Sequence, residues 1–388
     1  PTLAAARLDA RALARRGDQV GALPDPTASV MVAPYPILTA RGAQRSQWRV
    51  EQALPWPGTL ALRERSADLG AAVAGAEAEV LALDLAFETR RAYYDLLHAE
   101  HVEAVLLAYR ARLGAFAEAA AVRYEVGRGT QGAILQVQME RERIAERLHA
   151  LAAHRTTALQ TLARLADRPD LVGAPVAVAP LAVPDSLDAL IERALADRPE
   201  IRALDLDRQR AEAEVALAQK AFYPEIALGV TYTDIADRAA PVTADGRDAL
   251  AFTVSARIPL NRDRLRARVE ETRLRVAQVE AREEALATSL RTQVVTLAER
   301  ARQARQTLDL FESRLLPMAN ATVESTLSAY TTGEADYLAF LDTERTRFEI
   351  GLAAADARHR LLLAAAALYR ALGETVTDEA LPDAPHHR

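Results

Sequence analysis

Two carboxylates, two histidine pairs and a twice-occurring glycine turn are the residues whose types and spacing could do chemistry in this chain. Asp336 and Asp342 could serve as an acid and a base across a cleft. On one helix, however, their spacing sends them to different faces, which leaves general acid-base catalysis without a site. His98 and His101 stand at i, i+3 and could hold two corners of a metal shell, but no third ligand accompanies them. His386 and His387 lie in a terminal tail. No phosphate loop, nucleophile elbow or zinc motif occurs, and the absence of cysteine removes thiolate nucleophiles, thiolate ligands and disulfides. The sequence therefore reads as a protein without enzymatic activity, cofactor or metal.

What remains is the turn. Tyr124, Gly127, Gly129, Thr130 and Gly132 fall within nine residues between two long helical stretches, and Tyr330, Gly333, Glu334 and Asp336 repeat the pattern in the second half. Each turn is followed by an apolar pair, Ile134 and Leu135 or Phe340 and Leu341.

The elements that carry these turns are legible in composition and period. Half of the 388 residues are apolar while only 5% are aromatic and 26% are charged, the balance that long, closely packed helices need. A net charge of -6 with both signs mixed offers no footprint for nucleic acid. No apolar run is long enough for a transmembrane helix, although a barrel escapes such a search because its strands alternate.

Self-comparison aligns Pro1, Leu3 and Ala5 with Pro199, Ile201 and Ala203, and holds through Pro26 and Pro224. The second copy alone is preceded by a capped start at Ser186, so the N-terminus reads as truncated or processed. The chain divides into a first repeat over 1–184, a second over 185–373 and a disordered tail over 374–388. Each repeat begins with a helix, about 1–20 and 186–221.

A hairpin follows in each, about 26–55 and 224–259, with loops at 37–45 and 234–248. In the second, Ile226, Leu228, Val230 and Tyr232 alternate with Ala227, Gly229 and Thr231, and Leu250, Phe252 and Val254 answer them. Trp48, in the first, fits an aromatic belt or ordinary sheet packing equally. Next come helical stretches over about 58–123 and 263–328, each roughly 100 Å long if continuous. The first has one stripe through Ala76, Leu83, Tyr94 and Leu97 and another through Ala92, Ala99 and Leu106, which is the pattern of a helix packed between two neighbours. Return helices cover about 131–166 and 335–372. Four strands with one greasy face cannot hide their edges alone, whereas three copies close a twelve-stranded barrel.

This order of elements resembles the outer-membrane factor family, the TolC-like exit ducts of tripartite efflux pumps and type I secretion systems. The residues that carry the resemblance are the starts at Pro1 and Pro199, Arg123 and Tyr124 to Gly127 leading to Leu135, and Tyr330 to Gly333 leading to Leu341 and Asp342. Gln52 to Gly58, followed by Leu60 and Arg63, is similar to the branch serving cation pumps of the cobalt-zinc-cadmium and copper-silver type. The resemblance implies a mainly α fold in which a long coiled-coil barrel of helices joins a transmembrane β-barrel. Four strands per chain, internal duplication and closure by trimerisation complete that fold.

It further implies a passive duct in the bacterial outer membrane, reaching into the periplasm, with outer-membrane lipid around it. Its implied partners are two other copies, a periplasmic adaptor (membrane fusion protein) and, through that adaptor, an inner-membrane RND-type pump. Asp342, Tyr330 and Asp336 are the implied gate, and Gly127, Gly129, Thr130, Gly333 and Glu334 the adaptor-docking turns. Family members often carry an acidic residue where Gly132 and Ala133 stand, and another where Ala339 stands, so Asp336 or Glu334 substitutes here. The competing reading is a soluble periplasmic coiled-coil structural or adaptor protein, against which two hairpins and two strand pairs argue.

Overall fold

The computed structural model describes residues 1–39, 42–127, 130–173, 175, 186–236, 247–332 and 334–374. It is mainly helical with one small antiparallel sheet, and its chain forms two compact units, each assembled from both halves of the sequence. Among the described residues no helix is long and apolar enough to cross a membrane.

One unit comprises Thr2–Glu79 with Pro199–Leu286. It holds α1 (Thr2–Gly21), β1 (Thr27–Thr39), β2 (Gly42–Leu54), α5 (Pro199–Lys220), β3 (Glu225–Ala236), β4 (Ala249–Arg257) and the beginnings of α2 (Thr59–Glu125) and α6 (Arg262–Leu310). The strands lie in the order β1-β2-β3-β4, so β1 and β4 are the open edges of the sheet among the described residues. Register places Val30, Trp48, Tyr232 and Leu250 in one row and Ala28, Val50, Val230 and Phe252 in the next, on the same face. That face is open: Phe252 is 79% exposed and Val254 74%, and Val30, Val32, Trp48, Val50, Leu228, Val230 and Tyr232 are also exposed. The opposite face carries Arg49, Glu51, Gly229, Thr231 and Thr253, and the Arg49 Nε donates to Thr231 Oγ1 at 3.3 Å.

The first hairpin connection is tighter than the expected 37–45 loop, because β1 continues to Thr39 and β2 starts at Gly42. A register shift between Val32 and Ile37 accommodates Pro34 and Pro36, which have no N–H for the ladder, and lets the strand resume beyond them. In the same unit α1 approaches α2 so closely at Gly17 that a Cβ there would sit 2.2 Å from Asp68 Oδ1.

The second unit comprises Val80–Arg198 and Ala287–Arg388, with Pro1. It contains most of α2, α3 (Gln131–Leu165), α4 (Leu187–Asp197), the end of α6, a π turn (Phe311–Leu315), α7 (Leu316–Thr332) and α8 (Tyr337–Ala371). The two stripes read on α2 both find partners. Tyr94 and Leu97 pack on Leu362 and Ala366 of α8, while Ala92 and Leu96 pack on Ala158 and Leu162 of α3. Fully buried alanines, Ala365, Ala366 and Ala371, let α8 approach its neighbours closely.

Two expected helices are broken. The 186–221 helix is α4 and α5, separated at Arg198, whose ψ of 125° is extended because Pro199 bars its predecessor from the helical region. The 263–328 helix is interrupted by the π turn. Pro317 has no N–H to donate to residue 313, and its ring would press on that carbonyl. The chain widens one turn ahead of it, and the Leu316 N–H reaches Phe311 O instead. The expected 374–388 tail lies, beyond Glu374, outside the described residues.

Candidate functional site: the paired turns

Both turns belong to the helical unit and line one cavity of about 630 Å³. The first is formed where α2 ends and α3 begins. Gly127, at φ +72°, takes the left-handed conformation that an L side chain resists. Thr130 then caps α3, its hydroxyl accepting the Ala133 N–H at 3.3 Å. In the second turn the Glu334 N–H donates to Ala329 O at 2.9 Å, closing α7. Asp336 caps α8 by accepting the Ala339 N–H at 2.7 Å. Gly129 and Gly333 lie outside the described residues.

An aromatic cluster joins the turns. The Arg123 guanidinium lies 4.4 Å from the Tyr330 ring centroid. Tyr330 is parallel to Phe340 at 5.7 Å, meets Tyr337 edge-on at 6.2 Å, and is itself buried. Phe116 of α2 meets Phe340 edge-on at 4.6 Å, carrying the contact from one helical hairpin to the other. Burial pushes the Tyr337 hydroxyl pKa up to about 12, and that oxygen has no hydrogen-bond partner among the described residues.

The cavity lining therefore mixes Arg123, Thr130, Gln136, Glu334, Asp336 and aromatic rings. Among the described residues its lining pairs no nucleophile with a base, and no three side chains are placed to hold a metal. Such a surface can bind and orient a partner by charge and aromatic contact. Asp342, further along α8, is exposed and lies outside the cavity lining. Among the described residues no group of three ligands forms around His98 and His101, and His98 stacks on His359.

A residue that the reading of the turns passed over lies two helical turns into α8. Glu344 is 2% exposed and accepts from Arg112 Nη1 of α2 at 3.1 Å and from Arg347 Nε at 3.2 Å. Tyr109 and Phe348 stack beside it at 4.2 Å. The signal was present in the spacing: Phe340, Glu344 and Phe348 fall at i, i+4 and i+8, placing a carboxylate inside a buried stripe.

Comparison with known proteins agrees with this architecture. Residues 190–374 match the family model described as "Outer membrane efflux protein". A stretch of 196 residues is 28% identical to the pyoverdine export outer membrane protein OpmQ of Pseudomonas aeruginosa, covering 49% of this chain and 40% of that one. The aligned part is thus under half the length of that relative. The open-state MtrE outer membrane channel of Neisseria gonorrhoeae superposes with a TM-score of 0.78 at 20% identity, over 96% of this chain and 86% of that chain. CusC superposes with a TM-score of 0.74 at 19% identity, over 97% and 89%. The CusC likeness does not stand above the MtrE likeness, so the heavy-metal branch is not singled out. Residues 190–374 of this chain are thus similar to the outer membrane efflux protein family, and the described fold is similar to those of the MtrE and CusC structures.

Proposed function

We propose that three copies of this chain form a passive outer-membrane exit duct, whose sheet closes into a barrel and whose paired turns are the end that an adaptor protein engages. The observation that carries this reading is the sheet. A face four strands wide exposes Val30, Trp48, Val230, Phe252 and Val254, the reverse face is mostly small and polar, and both edges are open among the described residues. Water does not favour such a band, but lipid does, and a closed ring of strands satisfies every edge N–H and C=O. The cavity between the turns, acidic at Glu334 and Asp336 and basic at Arg123, supports the docking role. Asp342, exposed on α8, is the residue proposed to face the pore, with Tyr330 and Asp336 supporting the gate from behind.

The cargo divides two ways. The Gln52 to Gly58 motif favours heavy-metal cations, and the matched relative exports pyoverdine. Sensitivity of a deletion strain to cobalt, zinc, copper and silver salts, against its release of pyoverdine, separates the two.

Val230→Arg tests the barrel. On the lipid face an arginine near mid-bilayer costs about 2–4 kcal/mol per chain, whereas Thr231→Arg places the same charge on the polar face. Val230→Arg is expected to leave the outer-membrane fraction and Thr231→Arg to remain in it with altered conductance. Equal recovery of both in the membrane sinks the proposal. For the gate, Asp342→Ala is expected to lower cation selectivity in planar bilayers, and unchanged selectivity removes Asp342 from the pore.

A further inference from the structure

Away from the turns, α2 and α8 meet through two histidines. His98 and His359 stack with centroids 4.5 Å apart and planes 14° from parallel. Their side chains are only 20% and 19% exposed. His359 Nε2 lies 2.8 Å from Asp95 Oδ1 on α2, and His98 Nε2 lies 3.3 Å from Asp356 Oδ1 on α8, so the carboxylates tie the helices reciprocally. The neutral tautomer with its proton on Nε2 satisfies both carboxylates, which leaves Nδ1 for any second proton. His98 Nδ1 is buried and has no hydrogen-bond partner among the described residues, while the Ala355 backbone favours the protonated ring by a hydrogen bond that weighs less than burial and His359, which oppose it.

Other charges frame this layer. From α3, His154 opposes a proton on His98, and Arg155 binds Glu100 of α2 at 2.7 Å. His101 faces Arg358 of α8, which pairs with Glu312 of the π turn at 2.5 Å. Burial first, and then His359, hold the His98 pKa below its ordinary 6.5; burial and Arg358 do the same to His101. The helix defect stands at the same level of α8, because Phe311 of the π turn and Leu308 pack against Ala357 and Leu361.

We propose that this layer is an acid-responsive hinge: a second proton on the stacked histidines parts α8 from α2 at Asp356 and His359, and α8 swings with the π turn as its pivot. The local motion stands on these contacts alone, and its consequence, easier opening of the turn end in acid, rests on the duct reading above. Two stacked imidazoliums repel, and burial opposes the added charge on His98. The sign follows from linkage. A lowered histidine pKa leaves the closed packing at full stability above pH 6.5 and weakens it as pH falls below that value. At about pH 5.5 the effect from His98 is capped near tenfold in the opening equilibrium.

Hydrogen-deuterium exchange on the full-length protein in detergent, at about pH 7.5 and about pH 5.5 with labelling times scaled to the intrinsic rate, reads the hinge directly. In the wild type, peptides over the π turn and over Asp356 to Leu361 are expected to lose protection several-fold in acid. His98→Phe keeps a stacked ring without a titratable nitrogen, and His359→Gln keeps a donor for Asp95; each is expected to flatten the response, with circular dichroism confirming its fold. Equal protection at both pH values in the wild type, or an undiminished acid response in both variants, overturns the hinge. Conductance of the same preparations judges the duct separately, since a protein that forms no pore refutes the duct while the exchange result still decides the hinge.

Discussion

Replacing Glu344 is the sharpest test of how the turn end of the helical unit is held. Its carboxylate side chain is 3% exposed, against 15% for Arg347 and 42% for Arg112. Glu344→Ala leaves the Arg347 guanidinium inside the helix packing without its partner, a change of the kind that costs about 3–5 kcal/mol. The low end, about 3 kcal/mol, applies because Arg112 sits at the rim, where water screens its share. Arg112→Ala removes only that screened contact and should cost about 1 kcal/mol. Glu344→Gln keeps the shape and one acceptor while losing the charge, and should fall between them at about 2 kcal/mol. Urea denaturation followed by far-ultraviolet circular dichroism, with the Arg112→Ala and Glu344→Ala double variant closing the cycle, measures all three. Arg112→Ala proving as costly as Glu344→Ala, or Glu344→Ala costing less than about 1 kcal/mol, refutes the assignment of Glu344 as a buried anchor.

Two further outcomes follow from the turns. Thr130→Ala and Asp336→Ala each remove a cap and should lower stability by about 1 kcal/mol, whereas Asp336→Asn should leave melting nearly unchanged. A shift in reversal potential with Asp336→Asn at unchanged melting then isolates any gate charge from the cap. Tyr337→Phe deletes a hydroxyl that has no partner among the described residues and should be neutral or stabilising by up to about 1 kcal/mol. In the wild type, ultraviolet absorbance should show no Tyr337 phenolate until pH approaches about 12, the value to which burial raises it. A destabilising Tyr337→Phe would point to a hydrogen bond formed in the assembled protein.

The double stripe on α2 was legible because each stripe needs its own neighbour, and Tyr94 and Ala92 do face α8 and α3 respectively. The strand alternation was legible for a related reason: a period of two has meaning only when the two faces meet different surroundings, and Val230 and Thr231 do. The helix breaks were visible only as prolines. Pro199 and Pro317 sit inside convincing helical periods, and the stripe of apolar residues continues past each, masking the lost backbone bond. At the turns, Gly127, Thr130 and Asp336 could be read from residue type because capping and left-handed backbone are local. The meeting of Arg123 with Tyr330 could not, since it joins parts of the chain two hundred residues apart through tertiary packing.

The open edges of the sheet set the genetics of the protein as well as its architecture. Among the described residues the outer edges of β1 and β4 have no strand beside them, and in the proposed ring other copies supply those neighbours. Under the threefold closure proposed above, every ring has three seams and each chain belongs to two of them. A variant that spoils one edge but still inserts therefore spoils rings rather than chains. Expressed equally with the intact protein, it leaves about one ring in eight composed of intact chains only. Edge variants in β1 or β4 should thus act dominantly, whereas variants that prevent the chain from folding at all should be recessive, because they never enter a ring.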